Sequence, residues 1–183
     1  LILLPFTWRG LWRQRQLLAQ HWPLLALLAV LGITNYNTMV YLGLQDTTAT
    51  NAVLLNSVVP VMIIGLSFLL LRLPVLRAQL GGILVSLFGV VIIATEGRPQ
   101  TLLSLSLNRG DLWVLAAGLD WALYSVCLRW RPQGLAPETF LAAIVLVGLP
   151  PLAGLYAWEL SSGHTLALDA VNLAAIGYVA MFP

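Results

Sequence analysis

The chain has 183 residues, of which 60% are hydrophobic and only 9% are charged, with a formal net charge of +2. Soluble proteins carry about 25% charged and about 45–50% apolar residues. A chain with a mean hydropathy of +0.90 lacks the polar surface to cover a soluble core. The composition excludes a disordered chain, the single cysteine excludes a disulfide scaffold, and so small a positive charge argues against nucleic-acid binding. We therefore expect an all-α integral membrane protein in contact with the lipid bilayer.

Long runs without Asp, Glu, Lys or Arg mark the predicted membrane helices, because about 20 apolar residues cross the hydrocarbon core. Five complete helices are expected, and the fourth contains one acidic residue, Asp120. A short apolar stub precedes them and an unfinished apolar run follows them, so we interpret the sequence as a piece of a longer protein. The complete runs are Trp22–Gln45, Thr47–Leu71, Ala78–Thr95, Leu112–Leu128 and Thr139–Trp158, and the unfinished run is Ala170–Pro183.

The arginines are unevenly divided between the two sides of the predicted bundle. Only Arg98 and Arg109 fall in loops on one side, and the other seven arginines fall on the opposite side. Cytoplasmic loops of membrane proteins carry the excess of positive charge. The sequence therefore predicts a multi-pass protein whose Arg-rich loops are cytoplasmic.

Polar side chains recur along one face of the first predicted helix. This stripe comprises Thr34, Asn37, Thr38, Tyr41 and Gln45, with Asn35 beside it. Asn and Thr hydrogen-bond across helix interfaces in membranes, so helix association is one interpretation. A five-residue stripe is longer than association requires, which favours a water-filled or ligand-facing groove.

Pro60 is expected to kink the second predicted helix, because proline has no N–H to donate to the carbonyl of Asn56. Asn56 is placed about 14 Å below the end of that helix. A freed carbonyl beside an amide side chain could serve a ligand. The alternative is a purely structural kink, whose freed backbone groups pair with Ser57 or with a neighbouring helix.

Asp120 lies about 14 Å inside its predicted helix, with Tyr124 on the same helical face. A carboxylate in hydrocarbon is costly, and such residues usually face a cavity on the path of an ion, a proton or a substrate. The alternative is a structural Asp that is protonated or hydrogen-bonded. No Lys, Arg or His within the predicted helices is available as its partner.

Other features predict architecture rather than chemistry. Gly82, Ser86 and Gly89 form a small-residue stripe that favours close helix packing. Pro150 and Pro151 are expected to interrupt the fifth helix, as a static kink or as a gating hinge. Because the sequence contains no nucleophile motif, phosphate loop or zinc-spaced His/Cys cluster, we expect no enzyme, cofactor or metal site.

Three runs in the first part of the chain are NYNTMVYLGL (35–44), TTATNAVLLNSVVPV (47–61) and GILVSLFGVVIIA (82–94). They resemble the first half of an EamA-type transporter of the drug/metabolite transporter superfamily. The run GDLWVLAAGLDWALYSVCLR (110–129) resembles the opening helix of the second half, and GYVAMFP (177–183) is similar to the third helix of that half.

The resemblance implies ten membrane helices in two inverted five-helix halves. Residues 1–99 would then hold the end of helix 2 and helices 3–5, and residues 100–183 would hold helices 6 and 7 and the start of helix 8. Many members carry a Glu at the cytoplasmic end of helix 4, where this chain has Arg72, Leu73 and Pro74. An acid at the position of Asp120 is not a general family feature, so the resemblance implies no role for it.

Together, the residues and the resemblance predict an inner-membrane secondary transporter that exports a small organic metabolite or drug-like solute. The hypothesis is that Asp120 binds a proton, which would couple transport to the proton gradient, or a cationic group of the substrate. Neutral hydrogen bonds would come from Asn35, Asn37, Tyr41 and Asn56. The alternatives are a non-transporting membrane scaffold, a partner-binding subunit, or a truncated chain that does nothing alone.

Overall fold

The computed structural model describes residues 4–95, 108–163 and 169–181, which form helices joined by short turns. These are α1 (Leu4–Arg13), α2 (Arg15–Gln20), α3 (Trp22–Ala29), a π-helical segment (Val30–Asn35), α4 (Tyr36–Asp46), α5 (Ala49–Asn56), α6 (Val59–Leu71), α7 (Arg77–Ala94), α8 (Arg109–Cys127) with a 3-10 turn (Leu128–Trp130), α9 (Pro137–Ser161) and α10 (Ala170–Met181).

Four helical stretches in the described residues are long and apolar enough to cross a membrane. At about 1.5 Å per residue they measure about 33 to 38 Å, against about 30 Å of hydrocarbon. The helix α7 is shorter, so the described residues contain four full-length spans where five were expected. The prediction of an all-helical multi-pass membrane protein is confirmed. We call the four the first span (Trp22–Asp46), the second span (Ala49–Leu71), the third span (Arg109–Trp130) and the fourth span (Pro137–Ser161).

Polar side chains fix where two of the spans begin. Thr48 caps the second span, since its Oγ1 accepts the Asn51 N–H at 3.2 Å. At the start of the third span, the Asn108 Oδ1 accepts the Asp111 N–H at 2.8 Å. The Asp111 Oδ2 in turn accepts the Asn108 N–H at 3.0 Å. This reciprocal capping box satisfies two N–H groups that have no partner within the helix.

The second span is divided between α5 and α6 at Ser57 and Val58. Pro60 lies in the first turn of α6, where the missing N–H of proline leaves no helical hydrogen bond unmade. The Ser57 Oγ donates to the Leu54 carbonyl at 2.5 Å. The interruption thus lies just before Pro60, and Ser57 pairs with one carbonyl of the ending helix.

Pro150 and Pro151 do not interrupt the fourth span, contrary to the sequence-based expectation. The helix α9 runs continuously from Pro137 to Ser161 and includes both prolines. Helices of membrane proteins tolerate internal prolines because neighbouring groups and local adjustments of the helix take up the freed backbone groups.

The chain forms two compact units, Leu1–Leu149 and Pro150–Pro183. In the first unit, the third span packs against the first and second spans. The first unit also contains a buried apolar cluster that includes Leu28, Cys127 and Ile144. In the second unit, the Asp169 Oδ1 accepts the Asn172 N–H at 2.7 Å and so caps α10. The sequence-based division at residues 99 and 100, like Arg98, lies outside the described residues.

Glycines mark three close helix crossings in the first unit. A Cβ at Gly148 would lie 2.8 Å from Ile33, where the fourth span crosses the first. A Cβ at Gly118 would lie 3.0 Å from Val59, where the third span crosses the second. At the third crossing Gly43 lies against Gly110, which brings the backbones of the first and third spans together.

The packing expected at Gly82, Ser86 and Gly89 on α7 is not seen within the described residues. A Cβ built at either glycine meets nothing within 4 Å, and Ser86 is exposed. A role in packing for this stripe stays a prediction.

Gln14 ties the amino-terminal helices to the turn before the fourth span. Its Nε2 donates to the Gly134 carbonyl at 2.9 Å, and its Oε1 accepts the Ala136 N–H at 3.3 Å. Gly134 has φ +90°, a left-handed conformation that favours glycine. A single amide side chain therefore holds both sides of this turn.

Candidate functional site

Asp120 lies near the middle of the third span, about 16 Å along the helix from Arg109. Its side chain is buried, with 7% of the residue exposed. Asn35, near the middle of the first span, donates its Nδ2 to the Asp120 Oδ1 at 3.5 Å, a long hydrogen bond. The other carboxylate oxygen, Oδ2, is buried and has no hydrogen-bond partner among the described residues. Because an unpaired buried carboxylate is costly, this oxygen is a place for a proton or a cationic group.

Three aromatic rings of the first and third spans pack on one another. The ring centroids of Tyr36 and Trp121 are 4.7 Å apart, and those of Trp121 and Tyr124 are 5.2 Å apart. The chain neighbours of the polar pair thus make a second contact between the same two spans. We call the Asp120–Asn35 pair and the aromatic cluster of Tyr36, Trp121 and Tyr124 together the Asp120 site.

The first span reaches this site through its π-helical segment, Val30–Asn35. A π turn holds an extra residue, so the side chains that follow it are rotated relative to a regular α-helix. Gly32 within the segment has no side chain, and a Cβ there would lie 2.7 Å from the Tyr124 ring. The missing side chain at Gly32 therefore makes room for the Tyr124 ring against the first span, three residues before Asn35. Single-turn π segments are frequent at functional sites.

The polar side chains of the stripe predicted along the first helix have different partners among the described residues, and a groove along the whole stripe stays a prediction. Thr34 is buried, and its Oγ1 donates to the Gly148 carbonyl of the fourth span at 3.1 Å. Asn37 and Thr38 hydrogen-bond within their own helix. The Asn37 Nδ2 donates to the Ile33 carbonyl at 2.8 Å, and the Thr38 Oγ1 donates to the Thr34 carbonyl at 2.7 Å. Thr34 therefore joins helices, and Asn37 and Thr38 already have partners within their helix.

Tyr41 and Asn56, also expected in the site, are exposed on the described surface. Tyr41 is 65% exposed. Asn56 lies about 10 Å from the start of the second span, nearer that end than the 14 Å inferred from sequence. The estimate differs because the helix begins at Ala49 rather than at Thr47. Among the described residues no hydrogen bond joins either residue to Asp120.

Of the residues predicted to line the path, the structure brings together Asp120, Asn35 and Tyr124. Sequence reasoning did not include Gly32 or Trp121 in the site. Trp121 could have been noticed from the sequence, because it is an aromatic residue directly after an intramembrane acid. Gly32 gave no such signal, because its role depends on which ring of another helix packs against it.

A second buried acid, Asp111, belongs to the capping box at the start of the third span. It is 2% exposed, and its Oδ1 accepts a short hydrogen bond from the Thr47 Oγ1. Both carboxylate oxygens are therefore satisfied, in contrast to Asp120. Among the described residues no group of three His, Cys, Asp or Glu side chains could hold a metal ion.

Comparison with known proteins identifies the family. Residues 1–95, just over half of the chain, match the EamA-like transporter family. The chain belongs to the EamA-like transporter family. The resemblance noted in the sequence is thereby confirmed, and the family name points to a transporter rather than an enzyme.

Relatives of this EamA-like chain include bacterial and archaeal proteins. It is 29% identical over 153 residues to the "uncharacterized transporter YyaM" of Bacillus subtilis, a match covering 84% of this chain and 49% of that protein. It is 35% identical over 141 residues to an "uncharacterized transporter" of Archaeoglobus fulgidus, covering 73% of this chain and 47% of that protein. The chain thus spans about half the length of these curated relatives. No solved structure matches it significantly.

Proposed function

We propose that this EamA-like chain is part of a secondary transporter that moves a small organic solute out of the cell, with the Asp120 site on the solute path. The observation that carries the proposal is the buried Asp120 Oδ2, which has no partner among the described residues. Intramembrane ionisable groups are costly and usually mark the path of an ion, a proton or a substrate. Membership in a transporter family supports the same conclusion.

The depth of the site also supports a transport role. Asp120 and Asn35 both lie near the middle of their spans. Carriers built from inverted repeats bind substrates and coupling ions near the bilayer midplane, at the interface between the repeats. We propose that residues 1–99 and 100–183 contribute to two such repeats, so that the first and third spans would face each other across this interface.

The proposed setting is the inner cell membrane, with the Arg-rich loops in the cytoplasm. Seven of the nine arginines fall on one side of the predicted topology, in agreement with the positive-inside rule. Asp120 would then bind a cationic group of the solute from the cytoplasmic side and release it outside, or would carry in the opposite direction a proton that is taken up outside and released into the cytoplasm. Asn35 would hold the carboxylate in place through its amide.

Profiling of the solutes that cells release tests this proposal and reveals the transported solute at the same time. Cells that make the intact protein, its Asp120→Asn variant or no transporter are compared by mass spectrometry of the medium at several pH values. Hydrogen bonds to charged groups contribute about 1.5–3 kcal/mol, and 1.4 kcal/mol corresponds to a factor of ten. We therefore expect a solute whose release depends on the protein and falls about tenfold or more in Asp120→Asn.

Asp46→Asn is the matched control, because it removes an exposed carboxylate at the end of the first span. This variant should release the solute at the wild-type rate. If Asp120→Asn and the wild type release the solute equally at every pH, Asp120 is not part of the solute path. Absence of any protein-dependent solute would contradict the transport function itself.

A further inference from the structure

The Asp120 site contains a negative group without a positive counterpart. No Lys is present in the sequence, and the arginines that precede and follow Asp120 most closely, Arg109 and Arg129, lie at the two ends of the third span. The hydrogen bond from Asn35 is neutral and reaches only one oxygen of the carboxylate. A group that pairs with the other oxygen must therefore come from outside the described residues.

The side chains around the Asp120 carboxylate favour one kind of ligand. Tyr124 lies one helical turn from Asp120 on the same face, and the Trp121 ring packs on Tyr124 with 5.2 Å between the ring centroids. Tyr36 packs on Trp121 and follows Asn35. Aromatic faces attract ammonium groups within about 6 Å of the ring, and the attraction grows when water is excluded. A bare proton would use the carboxylate but gain nothing from three rings.

We infer that the Asp120 site binds a small organic amine in its protonated form, with one ammonium N–H donated to the Asp120 Oδ2 and the positive charge against the rings of Tyr36, Trp121 and Tyr124. This inference rests on the proposed transport function and adds the substrate class to it. An ammonium group has three N–H donors, and the side-chain carbonyl of Asn35 offers a second acceptor beside the carboxylate. An anionic solute is disfavoured by the charge of Asp120, and a neutral solute would leave that charge unpaired.

Binding of three related probes tests the substrate class. The probes are 2-phenylethylammonium, 2-phenylethanol and phenylacetate, which share a phenyl ring on a short chain and differ in the charge of the head group. Their affinities for the intact protein in lipid nanodiscs are measured by isothermal titration calorimetry. We expect the ammonium probe to bind about tenfold or more tightly than the alcohol, and the carboxylate probe not to bind.

Two variants assign the binding to this site. Asp120→Asn should lower the affinity for the ammonium probe about tenfold or more and leave the affinity for the alcohol unchanged. Trp121→Leu should weaken the ammonium probe about threefold or more, because it removes one aromatic face. Trp113→Leu is the matched control, since Trp113 is another partly exposed tryptophan of the third span that lies outside the aromatic cluster, and it should have no effect. The Trp121 variant keeps the test independent if Asp120→Asn does not fold.

The inference is overturned if no probe binds, if the alcohol or the carboxylate binds as tightly as the amine, or if neither Asp120→Asn nor Trp121→Leu weakens the amine. Its failure is distinguishable from failure of the transport proposal. Asp120-dependent release of a neutral or anionic solute from cells would contradict the amine inference and leave transport standing. Amine binding without release of any solute would contradict transport and leave the binding site standing.

Discussion

Replacing Gly110 with alanine tests how closely the first and third spans cross. A Cβ at Gly110 would contact the Gly43 carbonyl oxygen and would lie 2.7 Å from the Thr47 nitrogen and 2.8 Å from the Asp46 carbonyl carbon. Since all three are backbone atoms, no side chain can rotate to make room. To restore a 3.4 Å contact with the Thr47 nitrogen, one helix must withdraw by at least about 0.7 Å, and the nearer Gly43 oxygen requires more.

Overpacking of this kind costs about 1–3 kcal/mol, so the free energy of unfolding of Gly110→Ala should fall by about that amount. The higher helix propensity of alanine offsets little of this cost, because Gly110 lies in the first turn of α8. The measurement is the loss of helical circular dichroism during titration of the detergent-solubilised protein with a denaturing detergent.

Gly65→Ala in α6 is the matched control, since a Cβ at Gly65 meets nothing within 4 Å. This substitution should leave stability unchanged or raise it by up to about 1 kcal/mol, the difference in helix propensity between glycine and alanine. If Gly110→Ala is as stable as the wild type, the close crossing of the first and third spans is refuted.

Two further substitutions test polar contacts between helices. Thr47→Val removes the hydroxyl that donates to the buried Asp111 and should lower the free energy of unfolding by about 1.5–3 kcal/mol in the same titration, whereas Thr47→Ser should retain most of it. If Thr47→Val leaves the midpoint of the unfolding titration unchanged, the hydrogen bond between Thr47 and Asp111 is contradicted. Gln14→Ala should raise the hydrogen-exchange rate of the Ala136 N–H several-fold, because that N–H loses its acceptor. Gln16→Ala, at an exposed position two residues away, should leave that rate unchanged; equal rates in both variants would argue against the Gln14 contact.

The membrane fold could be predicted from sequence because the length of an apolar run directly limits what it can cross. The break before Pro60 was predictable for a similar reason, since proline cannot donate the helical hydrogen bond whatever surrounds it. Pro150 and Pro151 carry the same local signal, yet α9 continues through them. Local chemistry thus indicated where a helix can break, while the surroundings decide whether it does.

The candidate site was predictable in part. Asp120 and Asn35 stood out because polar residues in mid-span need partners. The stripe from Thr34 to Tyr41 assumed a regular α-helical period, and Thr34 lies in the π-helical segment Val30–Asn35, which changes that period. The approach of the Tyr124 ring to Gly32 depends on how two distant helices pack, so the spacing within either one could not reveal it.

If the Asp120 site lies on the solute path, solutes must reach it from water. Labelling of an introduced cysteine tests this access most directly. In a Cys127→Ala background, Asn35→Cys is treated with a charged, membrane-impermeant thiol reagent, and labelling is measured by mass spectrometry. Two controls are Ala29→Cys, in the packed core of the same span at 0% exposed, and Val85→Cys, which is 73% exposed on the apolar helix α7 and should face lipid. The account predicts labelling at position 35 and at neither control. Failure to label position 35 in the intact, folded protein, or equal labelling at all three positions, would contradict it.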